Sequence, residues 1–169
     1  RVVQSAFFKF EGLFFELGLS PHRQEIVSIK VELDTHPPVG AGTDTSLVRR
    51  HVMLSLLHYD KSSLLAGKLN AILTRSFTKG RDLYDLVWYL TDPSWPEPNI
   101  LLLNNALHQF DAGYPLMTTC NWRTQIARIL ERFDWKAVQN DVSPFLERQE
   151  EREMLTYESV VKLLKVRPV

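Results

Sequence analysis

The sequence predicts an α+β fold, with strands in its first third and helices through the rest. Three observations predict it. Apolar and polar side chains alternate strictly from Val27 to Asp34, the period of a half-covered strand. A second apolar alternation runs from His51 to Tyr59. From Ser62 onward the apolar spacing lengthens to three and four, the period of an amphipathic helix.

Each element follows in chain order. Phe7, Phe10, Phe14 and Leu17 recur at steps of three and four, so a first helix is expected to end near Gly18, before Pro21, with its Phe-rich face in the core. The strand Ile26–Asp34 comes next, sending Val27, Ile29, Val31 and Leu33 to one face. The run His36-Pro37-Pro38, with Gly40 and Gly42, forces a turning connection. The strand at His51 to Tyr59 is apolar on both faces, as for a strand covered on two sides. Ser62 or Ser63 is placed to cap a helix reaching about Arg75. Thr78-Lys79-Gly80 separates it from another helix, from Arg81 to Leu90, which stops before Pro93. Pro93 to Asn99 is the expected boundary between a region 1–92 and a helical region 93–169. Helices are predicted there over Ile100 to Phe110, Trp122 to Phe133, short pieces near Val138 and Phe145, and Tyr157 to Lys165.

At 169 residues and 44% hydrophobic content, the chain can bury a core in one or two compact units. Its 20 basic residues balance 20 acidic ones, which argues against a protein that coats nucleic acid. The single Cys120 cannot make an internal disulfide, so a reducing cytoplasm is expected. No apolar run approaches the roughly 20 residues that span a bilayer, so no membrane partner is expected.

Three constellations could carry chemistry. Lys30, Glu32 and Asp34 share one strand face. Two carboxylates about 7 Å apart can contribute to a divalent-cation site, and an edge strand with a solvated polar face shows the same pattern. On the next helix, Lys68 and Arg75 differ by only about 20° around the axis and flank the apolar stripe. Such a pair suits a phosphate chain, Lys as a point charge and Arg as a fork; snorkelling or pairing with Asp82 is the alternative. In Arg81-Asp82-Leu83-Tyr84-Asp85, Asp82 lies on the flank of the core stripe and Asp85 near the opposite pole, within reach of Arg81. Helix capping explains both acids equally. The histidines show no zinc-ligand spacing, and Val39-Gly40-Ala41-Gly42-Thr43 lacks the ending of a phosphate loop.

Together these segments resemble a known family. Ile29 to Pro38 is similar to the third conserved strand of AbiEii/AbiGii-type nucleotidyltransferases. Ser63 to Arg75 resembles their Lys-x-x-Ala-x-x-x-Arg helix, and Lys79 to Leu86 their Arg-Asp-x-Tyr-Asp signature. Order and spacing agree from about Val2 to Leu90, with a looser likeness in the helical tail. The resemblance implies part of a nucleotidyltransferase-like mixed sheet flanked by helices. It implies nucleotide transfer from a nucleoside triphosphate to a tRNA or protein hydroxyl, with Mg²⁺, in a toxin–antitoxin or phage-defence setting. Lys68 and Arg75 would hold triphosphate oxygens, and Asp82, Glu32 and Asp34 would be the catalytic acids. Glu32 and Asp34 would also be metal ligands. The family's Gly-Ser segment and Asp-x-Asp pair precede the matching region and do not occur in this chain. With Arg1 already in a periodic segment, a truncated or processed N-terminus is expected, along with inactivity of these residues alone and association into a dimer. The rival reading is a non-catalytic module that keeps the scaffold and binds a cognate antitoxin.

Overall fold

The computed structural model describes residues 3–110 and 113–166. The fold is α+β, and its chain contacts divide after Pro37 into two compact units.

The first unit is an antiparallel hairpin, β1 (Val3–Glu11) and β2 (Ile26–Asp34), joined through the short helix α1 (Leu13–Glu16). β2 has the predicted bounds. β1 replaces most of the helix expected there. The Phe spacing fits a helix, but Ala6, Phe8 and Phe10 also alternate with Ser5, Phe7 and Lys9, and they pair across to Val31, Ile29 and Val27. Pairing with a strongly β-prone partner decides between two locally acceptable patterns. Gly12, at φ 66°, turns the chain out of β1. The Phe-rich segment is exposed rather than core, since Phe7, Phe8 and Phe10 all keep large accessible areas.

The second unit opens with another antiparallel hairpin, β3 (Thr43–Arg49) and β4 (Met53–Tyr59). The mixed sheet expected from the resemblance is thus represented by two separate antiparallel pairs. β4 is not covered on two sides, as its apolar faces predict, but exposed along its length. The helices close the core without it.

Helices α2 (Lys61–Thr74), α3 (Gly80–Thr91), α4 (Ile100–Gln109), α5 (Trp122–Leu130), α6 (Trp135–Val142), α7 (Gln149–Glu153) and α8 (Tyr157–Lys165) follow, with a 3-10 turn at Ser143–Phe145. One core joins Leu65, Leu69 and Leu73 of α2 to Leu83 and Leu86 of α3, and onward to Trp122, Val138 and Leu164. The Pro-rich stretch 93–99 lies inside this unit. Asp60, rather than Ser62 or Ser63, caps α2, accepting from the Ser63 backbone N–H at 2.7 Å. The buried Ser63 hydroxyl instead accepts from the Gly42 N–H at 2.9 Å and from Asn99 Nδ2 at 3.2 Å. This ties the loop before β3 to the start of α4.

Candidate functional site

The site is built where α2 packs against α3. Leu65, Leu69, Ile72 and Leu73 commit one side of α2 to the core, which leaves Lys68 on the flank of that stripe. Arg75 follows the last turn as its C-cap, its N–H donating to Ala71 O at 3.2 Å. Across the contact, Leu83 and Leu86 anchor α3, and Asp82 occupies its first turn, where the helix dipole favours a negative charge.

Asp82 is 5% exposed. A carboxylate so placed must be paired, because burying it alone costs several kcal/mol. Both of its oxygens are engaged: Lys68 Nζ donates to Oδ1 at 2.8 Å, and an Arg75 guanidinium N–H donates to Oδ2. Lys68 Nζ also stands 2.6 Å from Asp85 Oδ2. That last contact corrects the placement of Asp85 away from the site. Asp82 and Asp85 are three residues apart on one helix, so both can turn toward α2. Arg81, expected beside Asp85, instead lies over the Phe145 ring at 4.7 Å.

Lys79, the residue before α3, is a site residue that helical periodicity misses, although it stands in the matching signature. It lines one small recess with Arg75 and Asp82. Burial, then the charges of Arg75, Arg81 and Lys68, push its ammonium below the ordinary lysine value against the pull of Asp141. Lys68, Arg75, Lys79 and Arg81 stand about this helix start against Asp82, Asp85 and Asp141, so the local field is positive on balance. Such a field favours a polyanion.

Glu32 and Asp34 belong to the first unit. On β2 they share a face with Lys30, as the strand period requires. Glu32 Oε1 is 2.7 Å from Lys30 Nζ, and Asp34 Oδ1 accepts the His36 backbone N–H at 3.1 Å. Among the described residues no three His, Cys, Asp or Glu side chains converge as a metal cluster. With Glu32 turned to a lysine and Asp82 committed to two cations, these carboxylates do not by themselves fit a Mg²⁺ ion.

The structure thus brings Lys68, Arg75 and Asp82 together through the pairing with Asp82 that stands as the alternative to phosphate binding, and adds Asp85 and Lys79 beside them. Chemically, the arrangement is a pair of cations fixed by carboxylates, whose remaining N–H donors can take phosphate oxygens while Asp82 stays paired. Among the described residues no helix is long and apolar enough to cross a membrane. A family model described as "Nucleotidyl transferase AbiEii toxin, Type IV TA system" matches residues 2–161, running through the helical region into α8. No curated protein and no solved structure matches the chain.

Proposed function

The chain belongs to the AbiEii nucleotidyltransferase toxin family of type IV toxin–antitoxin systems, and from that premise we propose that it takes part in moving a nucleotide from a nucleoside triphosphate to an acceptor hydroxyl on tRNA or protein. The observation that carries the reading is the Lys68–Asp82–Arg75 network, in which two cations are fixed by one buried carboxylate. Lys68 and Arg75 take the triphosphate oxygens, with Lys79 beside them. Asp82 acts as the acid of the last family motif, setting the two cations and orienting the attacking group. Transfer of this type depends on positioning and charge neutralisation, for which preorganised cations on two packed helices are suited.

Glu32 and Asp34 are the chain's acids at the third-strand position. Mg²⁺ is the cofactor that the family implies; Glu32 and Asp34 would hold it only alongside further donors, and it would supply neutralisation of the triphosphate charge. A cognate antitoxin in the cytoplasm is the proposed protein partner. The exposed apolar faces of the hairpins favour a protein partner or a second copy.

The test is transfer of α-labelled nucleotide to total RNA and to protein by the full-length gene product. Lys68→Ala is expected to slow transfer by about two orders of magnitude and weaken triphosphate binding. Wild-type transfer by that variant rejects the reading and leaves a binding module that uses only the scaffold.

A further inference from the structure

The β3–β4 hairpin carries a hydroxyl–imidazole pair that the transferase site does not use. Asp44 lies opposite His58 and Ser46 opposite Leu56, so the side chains of Ser46 and His58 leave the same face of the hairpin. Ser46 Oγ and His58 Nε2 are 2.7 Å apart. On the other side of the ring, His58 Nδ1 is 2.7 Å from the Tyr59 carbonyl oxygen. A carbonyl oxygen can only accept, so Nδ1 carries the proton. In the neutral ring Nε2 is then the lone-pair nitrogen, and the Ser46 hydroxyl donates to it. This is the relation between a serine nucleophile and its general base, with a carbonyl in the place of the orienting third group. Both residues are exposed, so an electrophile can reach Oγ.

We propose that Ser46 is an acceptor hydroxyl of the protein itself: a self-modification site at which His58 activates Ser46 toward the α-phosphate of a nucleoside triphosphate. The inference rests on the transferase reading above and names one acceptor for it. Ser46 Oγ attacks the α-phosphorus and forms an Oγ–P bond. The bond from that phosphorus to the β-phosphate oxygen breaks, and pyrophosphate leaves with its electron pair. The serine proton passes to His58 Nε2, and the imidazolium keeps its Nδ1–H on the Tyr59 carbonyl. The product is a phosphodiester-linked nucleotide on Ser46, and no oxidant or further reactant is needed. β4 continues through Asp60 into α2, the helix of Lys68, so the acceptor stands on the hairpin that feeds the triphosphate-binding helix.

The experiment incubates the full-length gene product with α-labelled nucleoside triphosphate, with and without added RNA, and maps the label on the chain by mass spectrometry. A fluorophosphonate probe, which reports an activated serine without any nucleotide, is applied in parallel. Both labels are expected on Ser46, and both are expected to vanish in Ser46→Ala. In His58→Gln, labelling is expected to slow by about 100-fold or more, the usual range for a lost general base, with triphosphate binding unchanged. A merely structural hydrogen bond leaves the fluorophosphonate reaction absent in the wild type, which overturns the proposal. Label on RNA with an unmodified Ser46 also overturns it while the transferase reading stands. No transfer to any acceptor sinks both.

Discussion

Two cations share one carboxylate at the α2–α3 contact, and that sharing decides what substitutions there do. Lys68→Ala removes a preorganised charge and is expected to cost about 3 kcal/mol of transition-state stabilisation, read as a fall in kcat/KM for the triphosphate. Asp82→Asn keeps the shape of the side chain, which taken alone implies an intact fold. Yet Lys68 and Arg75 would then face a neutral amide in a nearly closed position. The variant is expected to lose stability as well as activity, by about 2 kcal/mol, below the range for a fully buried pair because both cations keep some solvent. Urea unfolding beside the transfer assay separates the two effects. The position of Lys68 and Asp82 beside the core stripes was legible from helical periodicity, whereas Arg75 stands past the last turn as the C-cap, and the roles of all three rest on the family resemblance. The turn of Asp85 toward Lys68 was not legible, because it depends on how two helices face each other.

Helix α3 meets α6 so closely that its first residue has to be glycine. A Cβ on Gly80 would come within 2.5 Å of the Val138 carbonyl oxygen and 3.0 Å of Val142 Cγ1, while the Gly80 N–H donates to Asp141 Oδ2 at 2.7 Å. Gly80→Ala is therefore expected to destabilise by about 1–3 kcal/mol through overpacking, despite alanine's better helix propensity; chemical denaturation checks it. A second contact links the Pro-rich stretch to α5. Burial pushes the Glu97 carboxyl up, but hydrogen bonds from Arg123 and the Trp122 indole, with the Arg123 charge, outweigh it and hold Glu97 below its ordinary value. A depressed carboxylate contributes stability above its unfolded value, near about 4.3, and that contribution is lost as pH falls through the folded one. Melting temperatures of wild type and Glu97→Gln are thus expected to differ at neutral pH and converge in acid. Among the elements themselves, β2, α2 and α3 could be read because period and breakers agree in each. β3 could not: Thr43-Asp44-Thr45-Ser46 shows no apolar alternation, and its pairing with β4 is what makes it a strand.

At the scale of the whole molecule, the buried apolar core runs from Leu65 to Leu164, and no residue of either hairpin belongs to it. A two-stranded ribbon is marginal by itself in water. In the first unit, Ala6, Phe8 and Phe10 of β1 and Ile29, Val31 and Leu33 of β2 make one apolar face, each of them exposed. The opposite face carries Ser5, Lys9, Glu11, Ser28, Lys30, Glu32 and Asp34, interrupted by Val3, Phe7 and Ile26, and is the more polar of the two. Contiguous apolar surface on a sheet whose strands also have open edges drives association. The 169-residue chain is expected to self-associate, its weight-average mass in sedimentation rising with concentration. Phe8→Lys together with Ile29→Lys places two charges opposite each other on that face, since the two residues are register partners. Like charges directly opposite weaken the hairpin by less than about 1 kcal/mol, while the repulsion between copies removes the reason to associate. The doubly substituted chain is expected to sediment as a monomer with its helical content, and so its circular dichroism near 222 nm, kept within about 10%, because the helices draw their stability from a separate core. Association that persists in that variant would assign the contact to the β3–β4 hairpin instead, where Leu47, Met53 and Leu57 are likewise exposed.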